Sequence, residues 1–323
     1  MQYRYSALDA YRQCPTKYRK QYLENTRAPF TMIWLLNGTL FHEAMEKHYK
    51  TGDDRVQLGK EAWAGWLRQE GVETPWKVVS AFTDLWKVQR KLLEPFRRGT
   101  ICRDDGTKYT KPTATTAFRK LKSKTEWDQL RREALQYQDI MYGVYLRPQD
   151  DIPSSFCECM DWLTDYEHPT EYGTSIESEK KFFITDPWGN THEGCIDQVF
   201  EFEDGYAIHD FKTSKMEKVS VDLDPQLNMY AYAAKQLFGE WPKQISLHFV
   251  RNNTVVKSKA DPERVEKVYN SFVHPIIKSI ELSMEHNVWV KHSPEAFNAP
   301  CNLCEFFLAG MCNQEYKETA HEV

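Results

Sequence analysis

Hydrophobic and polar residues alternate with a two-residue period in the second half of the chain, a pattern typical of β-strands. The alternation predicts three strands, over residues 176–184, 191–202 and 206–213. Glu203-Asp204-Gly205 lies between the last two strands, and this turn-forming sequence predicts a hairpin. Two further strands are predicted over 244–250 and 254–259. We therefore expect a β-meander that is followed by a second pair of strands.

Apolar residues recur at helical spacing in other segments of the chain. This pattern predicts one helix over residues 6–24 and another that follows Gly38. Asp224-Pro225 and Asp261-Pro262 each combine an N-cap residue with a first-turn proline, so each predicts the start of a further helix. The last of these helices is expected to kink at Pro275, because proline interrupts the helical hydrogen-bond pattern.

The segment from residue 55 to residue 170 has a different character. It carries several tryptophans among many charged residues and shows little two-residue alternation, so we interpret it as a mainly helical insertion. The sequence then divides into N-terminal helices, the insertion, a core with most of the strands, and a C-terminal cysteine-bearing segment. The expected limits of these parts are 1–54, 55–170, 171–290 and 291–323.

Composition narrows the class of protein. With 323 residues, of which 41% are hydrophobic, the chain can fill a sizeable core. No stretch approaches the ~18 consecutive apolar residues of a membrane-spanning helix, and the first residues lack the apolar run of a secretion signal. We therefore expect a cytoplasmic protein with no membrane partner. In that compartment the eight cysteines are expected to stay reduced, which makes metal or cluster ligation an option.

The net charge of −5 gives no overall signature of nucleic-acid binding, but one segment is strongly basic. Residues 97–132 hold eleven Lys or Arg against four Asp or Glu, a local charge of +7 that leaves −12 for the rest of the chain. Such a run is often a solvated loop. The alternative is a DNA-binding surface, whose candidate residues are Lys108, Lys111, Arg119, Lys120, Lys122 and Lys124.

The predicted hairpin carries the residues that suggest catalysis. Asp210 and Lys212 are two apart on one strand and point to the same face, and Asp197 can lie opposite them on the partner strand. Two converging carboxylates repel each other unless a hard cation lies between them, and Mg²⁺ or Mn²⁺ suits oxygen ligands. An isolated Asp-x-Lys is nevertheless most often a solvated surface hairpin.

The order of several motifs adds to this interpretation. The sequence resembles the RecB-type branch of the PD-(D/E)XK nucleases, the group of the CRISPR-associated RecB-like nuclease, the AddB nuclease domain and exonuclease V. The motifs that carry the resemblance are Tyr5-Ser6, Gln13-Cys14-Pro15, Gly38 to His42, Gly194 to Asp197, Asp210 to Lys212, and Gln226 with Tyr230. It implies an α/β (α+β) restriction-endonuclease-like core, with a central mixed sheet flanked by helices and a helical insertion.

The resemblance also implies roles for individual residues. Lys212 would be the catalytic lysine, and Gln226 and Tyr230 would lie beside the site and help to place the scissile phosphate. Mg²⁺ or Mn²⁺ would be bound by His42, Asp197, Asp210 and the backbone carbonyl of Phe211. Many relatives have Glu where Asp210 stands, and either carboxylate can bind the metal. For Glu179, in the preceding strand, support of the metal site and plain solvent exposure stay open.

A second constellation consists of cysteines. Cys301, Cys304 and Cys312 form a C-x2-C-x7-C array, which leaves a tetrahedral site one thiolate short. Spacing alone does not separate zinc from an iron-sulfur cluster. The resemblance implies that Cys14 is the fourth ligand and that the group is a 4Fe-4S cluster joining the two chain ends. The remaining cysteines are expected to be unconnected buried thiols: Cys102, Cys157, Cys159 and Cys195.

These observations predict a metal-dependent DNA exonuclease that acts on single-stranded or end-processed DNA in recombination, repair or phage DNA metabolism. A helicase or recombination protein as a partner is left open. Two alternatives remain. One is the CRISPR-associated RecB-like nuclease, which trims DNA before integration, although the long insertion departs from that compact family. The other is a DNA-binding scaffold without catalysis, which the complete set of catalytic residue types disfavours.

Overall fold

The computed structural model describes residues 2–97, 125–138, 150–214, 220–292 and 299–312. The chain separates into two compact units. The sheet unit consists of Met1–Phe30 and Glu167–Val323, and the helical unit of Thr31–Tyr166. The domain limits expected from the sequence remain predictions.

The described residues form helices in the first half of the chain and most of the strands in the second half. The helices of the described residues are α1 (Tyr5–Gln13), α2 (Pro15–Tyr18), α3 (Ile33–Thr51), α4 (Arg55–Gln69), α5 (Pro75–Arg97), α6 (Thr125–Gln138), α7 (Ile152–Asp165), α8 (Pro225–Phe238), α9 (Pro262–Val268), α10 (His274–His286) and α11 (Glu305–Leu308). The strands are β1 (Gln2–Tyr3), β2 (Ser175–Thr185), β3 (Thr191–Phe202), β4 (Gly205–Lys212), β5 (Gln244–Phe249) and β6 (Thr254–Lys259). In the described residues, no helix combines the length and apolarity needed to cross a lipid bilayer.

The sheet unit is built on one mixed sheet, as predicted for this fold class. Strand β3 pairs with β2 along most of its length, and both β4 and the short strand β1 lie on its other side. β2, β3 and β4 form the predicted antiparallel meander, and β5 and β6 form the predicted second pair. β4 and β5 pair in parallel, and α8 lies in the crossover between them.

Helices α1, α8, α9 and α10 cover one face of this sheet with a continuous apolar core. Leu8 of α1, Ala231 of α8 and Ile277 of α10 are fully buried together with Ile208 and Leu247 of the sheet. Truncating Leu247 to Ala should therefore destabilise the unit by about 2–5 kcal/mol. The same core supports strand β4, which carries part of the candidate site.

In the helical unit, the described residues contain helices and no strand. Its core contains packed aromatic rings: Phe156 contacts Trp63 at a centroid distance of 5.4 Å and Phe82 at 5.6 Å. The Asn37 amide donates a hydrogen bond to the carbonyl of Ser155 at 3.0 Å, which ties α3 to α7.

The predicted N-terminal helix over residues 6–24 is wrong in its continuity. Helix α1 ends at Gln13, Cys14 is extended with φ −164° and ψ 112°, and α2 starts at Pro15. Proline has no backbone donor and disfavours helical backbone at the residue before it, so the break falls at Cys14. A π-helical turn then runs over Arg19–Leu23.

The other helix predictions hold more closely, with one shifted start. The helix predicted after Gly38 begins earlier, at Ile33. Helices α8 and α9 start at the predicted prolines, and the Asp224 carboxylate accepts a hydrogen bond from the Leu227 amide at 2.9 Å. A π-helical turn over Tyr269–Val273 lies immediately before α10, and Pro275 is in the first turn of that helix. The kink at Pro275 stays a prediction.

Candidate active site

The β3–β4 hairpin brings Asp197 and Asp210 next to each other. Its register pairs Gln198 with His209, so the next positions along the two strands are Asp197 and Asp210. Both side chains are buried, with exposed fractions of 8% and 2%. The backbone amide of Phe211 donates a hydrogen bond to Asp197 Oδ2 at 2.8 Å, which fixes one carboxylate against the neighbouring strand. The structure thus places these two carboxylates on adjacent strands.

Lys212, at the end of β4, lies against Asp210. Its Nζ is 2.5 Å from Asp210 Oδ2 and donates a hydrogen bond to Gln226 Oε1 at 2.7 Å. Burial lowers the pKa of Lys212, but the Asp210 carboxylate and other nearby acids more than offset this effect, so the pKa is raised above its ordinary value. Lys212 is therefore a fixed positive charge beside the two aspartates.

Helix α8 supplies the third element of the site. Gln226 is in its first turn, where the Asp224 cap and Pro225 fix the direction of the helix. The Gln226 amide donates hydrogen bonds to Asp210 Oδ1 at 3.0 Å and to the Tyr230 hydroxyl at 2.9 Å, while its carbonyl accepts from Lys212. One glutamine therefore links the carboxylate, the lysine and the tyrosine.

Tyr230 lies one helical turn after Gln226, on the same side of α8. Its ring packs edge-on against Phe182 at a centroid distance of 5.7 Å. Burial, followed by the negative charges of Asp210 and Asp197, raises the pKa of Tyr230 well above its ordinary value. The side chain is therefore a neutral phenol at physiological pH, and its hydroxyl can donate a hydrogen bond to an anionic group.

Glu179 of β2, for which the sequence left support of the metal site and solvent exposure open, also reaches this place. One of its carboxylate oxygens lies within 4.8 Å of a carboxylate oxygen of Asp197. The register of the β2–β3 pair decides which residue of β2 lies opposite Asp197. The strand pattern in the sequence predicts this pair but does not fix its register, so it could not single out Glu179.

The donor set fits a hard divalent cation. Glu179 lies close to Asp197, Asp210 lies next to Asp197 across the hairpin, and Lys212 contacts Asp210 and Gln226 of α8. Three carboxylates beside one ammonium group leave an excess of negative charge in a largely buried place. Oxygen ligands with this charge are the ones that Mg²⁺ and Mn²⁺ prefer.

His42, the remaining predicted ligand, belongs to α3 of the helical unit. It is partly buried, and its ring lies edge-on to that of Phe41 at a centroid distance of 6.1 Å. Its assignment to the metal site stays a prediction from the sequence.

The four cysteines of the predicted cluster lie in the sheet unit, near the meeting point of its two chain ends. Cys14 occupies the break between α1 and α2, Cys301 lies in a 3-10 turn over Pro300–Leu303, and Cys304 precedes α11. Cys312 is the last of the four, and all four are free thiols. Residues next to the cysteines in sequence join the two chain ends. The Lys17 ammonium is 3.4 Å from a Glu305 carboxylate oxygen, and the Thr16 hydroxyl donates to the Val290 carbonyl at 3.2 Å.

These thiols are close enough to influence one another. Burial raises the pKa of Cys301, and negative charge on Cys304 and Cys14 raises it further. The pKa of Cys312 is likewise raised, first by burial and then by Cys304, although Lys291 and Lys20 oppose the shift. Four neighbouring thiolates would repel one another. A cationic metal centre bound between them would remove this repulsion.

The other cysteines differ in their surroundings. Cys157 and Cys159 are fully buried on α7, as expected of unconnected thiols. Cys195 departs from that expectation, because it is only partly buried and its thiol donates a hydrogen bond to Glu179 Oε2 at 3.1 Å. Cys102 and the proposed DNA-binding residues lie outside the described residues: Lys108, Lys111, Arg119, Lys120, Lys122 and Lys124.

Comparison with known proteins agrees with this geometry. No curated protein matches the sequence. The profile of the PD-(D/E)XK nuclease superfamily matches two overlapping ranges, residues 4–114 and 109–307. These ranges take in nearly the whole chain, including Asp197, Asp210 and Lys212 on their hairpin. The chain therefore belongs to the PD-(D/E)XK nuclease superfamily.

Proposed function

We propose that this protein is a metal-dependent DNA exonuclease that acts on single-stranded or end-processed DNA in recombination, repair or phage DNA metabolism. The observation that carries the proposal is the connected set of Asp197, Asp210, Lys212 and Gln226. A solvated surface hairpin would not bury both aspartates or hold the lysine between a carboxylate and a glutamine.

Asp197, Asp210, the Phe211 carbonyl and His42 would hold Mg²⁺ or Mn²⁺. When bound, the ion would polarise the scissile phosphate and lower the pKa of a water molecule. The Phe211 amide keeps Asp197 in place, and Gln226 does the same for Asp210. Both aspartates are thereby oriented before a ligand arrives, which reduces the reorganisation needed for binding.

Lys212 and Tyr230 would act on the DNA itself. The ammonium group of Lys212 would offset the negative charge that builds on the phosphate oxygens during hydrolysis, and would orient the attacking water. The neutral Tyr230 phenol, held by Gln226, would donate a hydrogen bond that helps to place the scissile phosphate. The basic stretch would gather the DNA through Lys108, Lys111, Arg119, Lys120, Lys122 and Lys124.

The exonuclease assignment is tested on DNA that carries a label at one end. Linear single-stranded and double-stranded substrates should lose the label with Mg²⁺ or Mn²⁺, while a closed circular substrate of the same sequence should stay intact. Rapid cleavage of the circle would show an endonuclease instead. Asp210→Ala should abolish the metal-dependent reaction. The control is Lys257, an exposed lysine on the edge strand β6 that pairs with Glu171, and Lys257→Ala should leave the reaction unchanged.

The histidine is tested separately. His42→Ala should slow cleavage less than Asp210→Ala does, because the aspartates and the Phe211 carbonyl remain. Mn²⁺ should partly restore the rate, since it binds incomplete oxygen sites more readily than Mg²⁺ does. A wild-type rate with Mg²⁺ would remove His42 from the metal site.

We further propose that Cys14, Cys301, Cys304 and Cys312 bind a 4Fe-4S cluster that joins the two ends of the sheet unit. The spacing of Cys301, Cys304 and Cys312 and the electrostatic influence of these free thiols and Cys14 on one another support a single metal centre, and the resemblance to RecB-type nucleases favours iron over zinc. Protein purified without oxygen should contain iron and sulfide and absorb near ~400 nm. One zinc per chain and no iron would refute the cluster. A cytoplasmic location and a helicase partner remain proposals from the sequence.

A further inference from the structure

Glu179 holds an unusual place in strand β2. The register pairs Ser178 with Gln198 and Lys180 with Ile196, so Glu179 is opposite Asp197. Between these two regular pairs, the Glu179 backbone has a φ of 51°, in the left-handed region that favours glycine. A non-glycine residue in this region costs roughly 1–3 kcal/mol, and such strain is typically retained at functional sites.

Next to the strained residue, side chains stop alternating regularly between the two faces of the sheet. Ile196 and Val199 of β3 are three positions apart, yet both side chains enter the same apolar core. Regular alternation would point them to opposite faces, so the alternation is interrupted between them, next to Asp197. The interruption lets Phe182 and Ile184 fill the core on one side of Glu179 while the Glu179 carboxylate stays within 4.8 Å of that of Asp197.

A second group holds Glu179 in this orientation. The Cys195 thiol donates a hydrogen bond to Glu179 Oε2 at 3.1 Å. A carboxylate oxygen of Glu179 also lies within 4.8 Å of one of Asp197, so the thiol holds the Glu179 side chain close to that aspartate. Glu177, the preceding acidic residue of β2, instead pairs with Lys180 at 2.7 Å and makes a matched control.

We propose that Glu179 is a further ligand of the divalent cation, beside Asp197, and that Cys195 is a positioning residue which orients it. This inference rests on the proposed metal-dependent activity. The strained left-handed backbone of Glu179 is then the energetic cost of directing its carboxylate toward the metal. A variant with a residue of similar shape but no carboxylate at this position should fold equally well and bind the metal less tightly.

The first experiment measures binding of Mn²⁺ by calorimetry in the absence of DNA, together with the unfolding temperature of the metal-free protein. Glu179→Gln should weaken Mn²⁺ binding on the order of 10- to 100-fold. Glu179→Gly should weaken it as much while the unfolding temperature stays unchanged or rises, because glycine adopts positive φ without strain. Glu177→Gln should bind Mn²⁺ like the wild type. Wild-type affinity in both Glu179 variants would overturn the proposal.

The second experiment tests the positioning role of Cys195. Cys195→Val removes the donor and should weaken Mn²⁺ binding severalfold, less than Glu179→Gln does. Cys195→Ser keeps a hydrogen-bond donor and should restore the affinity, which a purely structural role of the thiol would not predict. Equal affinities in the Val and Ser variants would exclude the positioning role.

The outcomes separate this inference from the proposed function. Wild-type protein that neither binds Mn²⁺ nor degrades DNA would refute the metal-dependent nuclease itself. A wild type that binds and cleaves, with Glu179→Gln binding Mn²⁺ equally well, would refute only the added ligand. Cleavage by Glu179→Gln that recovers at high Mn²⁺ concentration would support the ligand, since the lost affinity is then offset by mass action.

Discussion

Replacement of Lys212 by Met is the most informative change to the candidate site. Methionine keeps the aliphatic stem of the side chain and removes the charge. The structure gives two consequences for the protein without metal. Asp210 loses the ammonium group at 2.5 Å, and Gln226 loses its donor at 2.7 Å. Breaking a fully buried ion pair costs ~3–5 kcal/mol, but Lys212 is 26% exposed, so about 1–2 kcal/mol is expected.

The effect on catalysis should be larger than the effect on stability, and the rate should fall while the affinity for Mg²⁺ rises. Loss of one group that stabilises charge in the transition state commonly costs ~10²- to 10³-fold in rate. At the same time, removal of a positive charge beside Asp197 and Asp210 should tighten Mg²⁺ binding, because the cation no longer meets a like charge. A slow enzyme with higher metal affinity is therefore the expected signature.

The assay combines release of an end label from single-stranded DNA at saturating Mg²⁺ with a calorimetric Mg²⁺ titration and urea unfolding. Lys257→Met, on the exposed edge strand β6, is the matched control and should change none of the three measurements. A Lys212→Met rate within ~3-fold of wild type would refute the catalytic role, since stabilisation of charge in the transition state is expected to contribute far more. Weaker Mg²⁺ binding would refute the electrostatic argument.

Three further predictions concern other parts of the molecule. Cys304→Ser should lose the absorbance near ~400 nm and most of the soluble protein, measured against Cys157→Ser, which changes a buried thiol of α7. Burial lowers the pKa of His248 to about 4 and that of His209 well below its ordinary value. As the pH falls below 6.5, these two histidines therefore become protonated in the unfolded chain but stay neutral in the folded protein. Stability in urea should therefore drop between pH 6.5 and pH 5, with a slope that approaches about 1.4 kcal/mol per pH unit for each histidine toward pH 5, and a flat profile would contradict this. The last prediction concerns a variant in which four basic residues are replaced by Ala: Arg119, Lys120, Lys122 and Lys124. This variant should bind DNA more weakly and with a flatter salt dependence, while its rate at saturating DNA stays unchanged. An unchanged salt slope would show that DNA binds to another surface.

The strands and their hairpin could be predicted because local patterns determine them. Two-residue alternation marks a strand that has one face in the core, and the Asp-Gly turn fixes the β3–β4 register. Asp197 and Asp210 therefore come together for reasons visible in the sequence. The start of α8 was equally clear, because Asp224 and Pro225 combine a cap with a first-turn proline.

Other features depend on contacts that no local pattern encodes. The break at Cys14 follows from Pro15, and the helical spacing on both sides obscured it. The left-handed backbone of Glu179 has no signature in its own sequence, because glutamate rarely adopts it and only the surrounding sheet enforces it. The link from Gln226 to Lys212 likewise requires the docked position of α8.

The parallel pairing of β4 with β5 has a consequence for the order in which activity appears during folding. The β3–β4 hairpin closes a short loop and can form early, and it contains Asp197, Asp210 and Lys212. Gln226 and Tyr230 join them only when the chain has completed the crossover and β5 has docked, a slower step between distant residues. A newly made chain should therefore acquire hydrolytic competence late, after the sheet is complete, which would spare DNA from cleavage by half-folded molecules.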